Sequence, residues 1–327
     1  MSWLADTQPV LVKELRGRMR GARAFIVLTG YLLVLSGFTL LLYLAVRSAV
    51  GNDPFSAGRT IGKSLFIGIA IVALIQVMII VPAQAAGSIS GERERETFDL
   101  LIVTLLPAWK IVLGKLLAAL AYAVLLIVAV APLMAVAFFF GGVTGAEVLI
   151  ALLGLLVTAV LYGTVGLLWS VIAPRTMIAT VMTQATNVLI LLGLPFVLYV
   201  FAFVFFGNGP EPDWMWSYPF VYAAGAVLAI HPFLALGAAE AFLSNGDSGL
   251  MVALRNGDRP EIWIPAPWLV FTVEGLIVSV ALVAITIWML RPSEARSNRL
   301  AGGRRAWQRT AKPQETLQQP PSTERSS

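Results

Sequence analysis

The 327-residue sequence contains no cysteine and a single histidine. Disulfides, iron–sulfur clusters, Cys-ligated zinc and thiol catalysis are excluded, and one His cannot build a His-cluster metal site. Charge is scarce too: 13% of residues are charged and 58% are apolar, with a mean hydropathy of +0.83. A soluble domain carries roughly a quarter charged residues, so this chain lacks the polar surface needed to keep its apolar mass in water. The expectation is an all-α, polytopic membrane protein of the cell membrane, with lipid rather than nucleic acid as its surroundings.

Six apolar windows are long enough to cross a bilayer, which takes about 20 residues of helix. They lie at 24–46, 64–86, 111–139, 147–172, 177–206 and 267–290. A seventh stretch, 219–243, is interrupted by His231-Pro232 and holds Glu240. Lys13, Arg16, Arg18, Arg20 and Arg23 precede a full-length span with no small-residue cleavage pattern, so the first span is expected to remain as an anchor and not to be removed as a signal peptide.

The basic residues orient the chain, because Lys and Arg are held on the cytoplasmic side during insertion. With six spans and both termini cytoplasmic, 18 of the 23 Lys and Arg lie inside: five before span one, four between spans two and three, Arg175, and eight in the tail. A full seventh span would put the basic tail outside. Segment 219–243 is therefore expected to be a re-entrant excursion turning at Pro232, with His231 capping the break. Glu147 and Glu240 fall at the outer interface. The outer loop before the last span carries Trp214, Trp216, Tyr218, Tyr222, Trp263 and Trp268, as expected of an interfacial aromatic belt. The tail, 291–327, is polar, basic and rich in Pro, Gln and Ser, the composition of a disordered segment.

The string from Ala57 to Ser64, AGRTIGKS, satisfies a loose phosphate-loop pattern. A working phosphate loop follows a buried strand and opens a helix of a soluble α/β domain, so that its amides wrap the phosphates. This string instead follows the polar turn Gly51-Asn52-Asp53-Pro54 and enters a span. The chain is not expected to bind or hydrolyse ATP itself.

The densest charge lies in the loop between spans two and three. Ser90 or Gly91 is placed to cap a helix with Glu92 and Glu94 in its first turn. Phe98, Leu101, Ile102 and Leu105 then form one apolar stripe ending at Pro107. The expectation is a short amphipathic helix over 92–106, with Glu92 through Glu96 as five consecutive charges.

The run GERERETFDLL from Gly91 to Leu101, followed by Thr104, Pro107 and Gly114-Lys115, resembles the cytoplasmic motif of type-2 ABC transporter permeases. Pro9 to Arg18, PVLVKELRGR, resembles that family's interfacial segment before the first span, here 1–23. The resemblance covers roughly 1–290. It implies a six-span permease domain over 24–290, with an amphipathic N-terminal helix, a cytoplasmic coupling helix between spans two and three, and a re-entrant segment between spans five and six. It implies a permease subunit, with an exporter as the expected direction, paired with a second copy or a sister permease. A separate cytoplasmic ABC ATPase would hold ATP and magnesium. Coupling residues would be Glu92, Arg93, Glu94, Arg95, Phe98, Asp99 and Leu101, the charges setting orientation and Phe98 and Leu101 supplying buried contact. Two departures stand out. Glu96 occupies a position where the family usually has Gly, and Leu105-Leu106 separate Thr104 from Pro107.

Polar residues inside spans are the remaining candidates, since charge at bilayer depth is costly and faces protein or water. Glu274, Gln76, Gln184 and Asn187 qualify, either as lining of a transport path or support of the excursion, or as hydrogen bonds between helices. The alternatives are a secondary transporter or channel, which would show repeated halves or ion-binding breaks, and a membrane-embedded enzyme, which would need a matched catalytic set.

Overall fold

The computed structural model describes residues 22–50, 54–97, 107–207, 212–247, 249–255 and 259–290. The interfacial segment 1–21, the coupling positions Phe98, Asp99 and Leu101, and the tail 291–327 lie outside the described residues. Met1–Ile287 is one compact unit; of the second, Trp288–Ser327, only the three residues that end the last helix are described.

The helices are α1 (Ala22–Ala49), α2 (Pro54–Glu94), α3 (Ala108–Phe140), α4 (Gly145–Ile172), α5 (Thr176–Val188), α6 (Leu194–Phe206), α7 (Tyr218–Ala229), α8 (Pro232–Ser244) and α9 (Pro267–Leu290). A π-helical segment, Leu189–Gly193, joins α5 to α6, so the two form one long element. Six such elements are long and apolar enough to cross a membrane, or seven if α7 and α8, bent by 118° at their junction, count as one span. This is the architecture expected of a multi-pass membrane protein. It departs from an all-helical one in a two-stranded antiparallel hairpin, β1 (Met251–Leu254) with β2 (Ile262–Pro265), pairing Val252 with Ile264.

The core is built around α2. Its buried residues Ile61, Leu65, Ile69, Ala73, Val77, Val81, Ala85 and Ile89 recur every fourth position, an inclined ridge that winds round the helix. Those from Ile61 to Val81 pack against α3 and α4, together with Tyr31 and Leu35 of α1. In lipid no hydrophobic force drives helices together, so close packing of small residues must do it. Gly62 and Gly166 show how. A Cβ on Gly62 would collide with the carbonyl oxygen of Gly141, and one on Gly166 would collide with that of Pro82. The look-alike string from Ala57 to Ser64 is thus the helical start of α2, and its second glycine is a packing contact.

Capping follows the sequence. Thr144 accepts from the amide of Glu147 at the start of α4, and His231 accepts from that of Leu234 at the start of α8, with Pro232 in the first turn. Large apolar side chains face outward on α1 (Phe25, Leu33), α6 (Phe196, Phe203) and α9 (Val280), the inversion that lipid permits and water does not.

Candidate functional site

One end of the helical unit is where α2 finishes. The expected helix start at Ser90 or Gly91 is corrected: α2 runs through these residues to Glu94, so Glu92 and Glu94 occupy a last turn and not a first. The capping residues and acids read as a start, but the apolar face of span two continues through Ile89 and holds the helix together past them.

Three charges of the run have partners on three other helices. Glu92 Oε1 lies 3.0 Å from Lys115 Nζ on α3, and that fully buried ammonium also donates to the carbonyl of Ser88 at 2.7 Å. Arg93 donates to the carbonyl of Val171 at 2.6 Å, placing a cation on the negative end of α4. Glu94 Oε2 accepts from the hydroxyl of Thr176, the first residue of α5, at 2.6 Å. Beneath them Ser170 accepts from the amides of Ile89 and Ser90 at 2.8 and 3.0 Å. Arg95 is exposed.

The helix closes on Glu96, whose φ is +57°, the one non-glycine residue with positive φ among the described residues. Glu96 N–H donates to Arg93 O, and Thr97 N–H to Glu92 O. This pair of bonds is the Schellman arrangement, in which glycine normally holds the left-handed position.

At the opposite end Lys63 of α2 bonds to Glu147 of α4 at 2.8 Å and to Glu240 of α8. Sequence reading placed the two carboxylates at the outer interface without joining them to Lys63; nothing in the spacing signals the contact. Glu147 and Glu240 border an apolar cavity of about 220 Å³ that also contacts Phe66, Ile150 and Phe233. The aromatic loop packs on itself beyond this end. Tyr222 donates to the carbonyl of Trp263 at 2.7 Å, and the Arg259 guanidinium lies 5.6 Å from the ring centre of Trp216.

The intramembrane amides donate to backbone carbonyls, although the side-chain oxygens of Gln76 and Asn187 are buried without a partner. Gln76 donates to Tyr31 O at 3.2 Å, Gln184 to Ile79 O at 2.8 Å and Asn187 to Met78 O at 3.2 Å. Glu274 differs. It borders a second cavity of about 380 Å³ together with Tyr162, Trp169, Ile190, Ile230 and Phe271. Its Oε2 is buried without a hydrogen-bond partner. His231 stands behind the break between α7 and α8, its Nε2 3.0 Å from Leu191 O in the π segment.

No group of three His, Asp or Glu among the described residues is arranged to hold a metal ion. Neither models of known protein families nor curated protein sequences match the chain.

Proposed function

We propose that the chain is the transmembrane permease subunit of an ATP-driven transporter of the type-2 ABC kind, exporting its cargo. A separate cytoplasmic ATPase would hold ATP and magnesium, and a second permease copy or a sister permease would complete the pair. The observation that carries the reading is the cluster at the end of α2. Glu92, Arg93 and Glu94 tie α2 to α3, α4 and α5 directly before the segment 98–106, so force applied to that segment reaches four helices through short, charge-assisted bonds. In this reading Arg95, Phe98, Asp99 and Leu101 meet the ATPase, while Glu92, Arg93 and Glu94 act through the membrane helices as positioning residues. Both termini are cytoplasmic. The α7–α8 pair is a re-entrant excursion from the outer face: Tyr222 near its beginning is bonded to the β hairpin, and that hairpin follows closely on the end of α8.

The test is reconstitution of the full chain in vesicles with the ATPase encoded beside it. Transport should require ATP and persist when ion gradients are collapsed. Leu101→Asp with Phe98→Ala should abolish stimulation of the ATPase while the chain remains folded; undiminished stimulation would overturn the docking assignment. Reversing Glu92 is not a clean test, because it strands the buried ammonium of Lys115. The lone acid Glu274 favours a second reading, a carrier driven by an ion gradient. That reading predicts the opposite result, transport without ATP that stops when gradients collapse.

A further inference from the structure

The turn between α4 and α5, Ala173-Pro174-Arg175, is fastened to the end of α2 on both sides. Before it, the carbonyl of Val171 accepts from Arg93 at 2.6 Å; after it, the hydroxyl of Thr176 donates to Glu94 at 2.6 Å. Ala173 packs with Ala86 of α2 and Ala179 of α5 between these bonds. Arg175 stands outside this joint. It is exposed, and although it holds the capping position of α5 its side chain does not cap the helix. Its positive charge, with that of Arg95, acts on Glu94.

The exposed charges at this end therefore alternate in sign. Glu94, Arg95 and Glu96 close α2, and Arg175 lies beside them, giving two acids and two bases. A patch without net charge has little to attract an anionic lipid surface, which gathers clustered Lys and Arg. Alternating charges instead suit a protein surface that answers each in turn.

The size of a protein interface brings Arg175 into reach. A stable interface covers about 800 Å² of each partner, a patch about 16 Å in radius. The segment 98–106, to which the ATPase is assigned, begins one residue, about 3.8 Å, beyond Thr97. Thr97 is itself bonded back to Glu92, one turn from the joint that holds Thr176. A partner seated on that segment thus extends over the turn that carries Arg175.

We propose that the turn between α4 and α5 is a second docking element for the ATPase, with Arg175 and Arg95 receiving acidic residues of its surface. This rests on the coupling reading and adds to it a second loop and the sign of the partner's facing charges. A charge at the edge of an interface steers encounter and sets the salt dependence, while the packed centre holds the complex together. Arg175 therefore governs how readily the ATPase is recruited, and the apolar contacts of Phe98 and Leu101 govern what happens once it is bound.

The full chain in phosphatidylcholine nanodiscs is titrated with the purified ATPase encoded beside it, and both the half-saturating concentration and the maximal rate of ATP hydrolysis are read. Arg175→Glu should raise the half-saturating concentration at least about fivefold at about 50 mM salt and leave the maximum unchanged. At about 1 M salt, where charges are screened within about 3 Å, variant and parent should converge. Arg175→Lys should keep most of the parent's affinity. Arg255→Glu, the same change of charge at an exposed position beside the hairpin, should have no effect. Equal half-saturating concentrations for the parent and Arg175→Glu, or a lowered maximum at unchanged affinity, overturn the inference. So does a loss that appears only when phosphatidylglycerol is added to the nanodiscs, since the arginine then serves the membrane. Should the Glu variant not fold, parental affinity in Arg175→Ala overturns it equally. A parent chain that fails to stimulate the ATPase at all is a distinguishable result, which overturns the coupling reading and this inference with it.

Discussion

Asn187 donates its side-chain amide to the carbonyl of Met78, 3.2 Å away on a different helix. Met78 lies four residues before Pro82, which sits inside α2. Proline has no N–H, so it deprives the carbonyl at i−4 of its helical donor, and in a bilayer no water replaces it. The proline and the asparagine are therefore one device, with Gln184 serving the adjacent carbonyl of Ile79.

The first prediction follows from that pairing. Asn187→Leu should destabilise the chain by about 1 kcal/mol, the scale of interhelical hydrogen bonds in membranes. In a Pro82→Ala background, where the new backbone N–H supplies the missing donor, the same substitution should cost markedly less. A double-mutant cycle on thermal unfolding in detergent measures the difference. Equal costs in both backgrounds would separate Asn187 from the proline.

Lys63 is the centre of the second prediction. It neutralises two carboxylates, one of which, on Glu147, is only 3% exposed. Lys63→Met would leave Glu147 and Glu240 facing each other, at a cost on the order of 3 kcal/mol for a broken, largely buried pair. Adding Glu147→Gln and Glu240→Gln should recover most of the loss, because the uncompensated charges go with them. Urea unfolding of the single and triple variants checks the order. If the single variant is as stable as the parent, the bridge contributes nothing.

Hydropathy made the long elements legible, since a bilayer demands their length and composition whatever they pack against. His231-Pro232 was legible as a break for the same local reason: proline at the first turn and a capping side chain before it act within four residues. The Lys63 cluster was not, because its members are separated by 84 residues and more. The helix position of the run from Glu92 to Glu94 is locally ambiguous. Acids after a capping residue signal a helix start, yet the same residues serve a helix end once Lys115, Val171 and Thr176 stand beside them. The hairpin of β1 and β2 escaped because four-residue strands are too short to display alternation. The Glu274 chamber was half legible: the acid could be picked out, whereas Tyr162, one of several apolar-flanked tyrosines, could not.

The third prediction concerns Glu96, left-handed at φ +57°. For a residue with a Cβ that conformation costs about 1–2 kcal/mol, and glycine escapes it while losing somewhat more chain entropy on folding. Glu96→Gly should therefore stabilise the chain by roughly 0.5–1 kcal/mol, and Glu96→Val should destabilise it, since β-branching makes positive φ harder to hold. Thermal unfolding reads both. A stabilising Val would show that the turn does not close as described.

The last prediction separates packing glycines from idle ones. At Gly62 an added methyl would collide with the Gly141 carbonyl oxygen and meet that of Ala137 at 2.8 Å, both backbone atoms that cannot swing aside. Around Gly37 of α1 nothing lies within 4 Å. Gly62→Ala should force α2 away from the end of α3, at about 1–3 kcal/mol for overpacking, and should disturb the neighbouring Lys63 bridge to Glu147 as the helix moves. Gly37→Ala should be neutral or stabilising by up to about 1 kcal/mol, because alanine is the better helix former. The two variants differ by the same single methyl. If their unfolding midpoints fall together, helix propensity rather than close approach governs Gly62, and the α2–α3 contact is looser than its geometry implies.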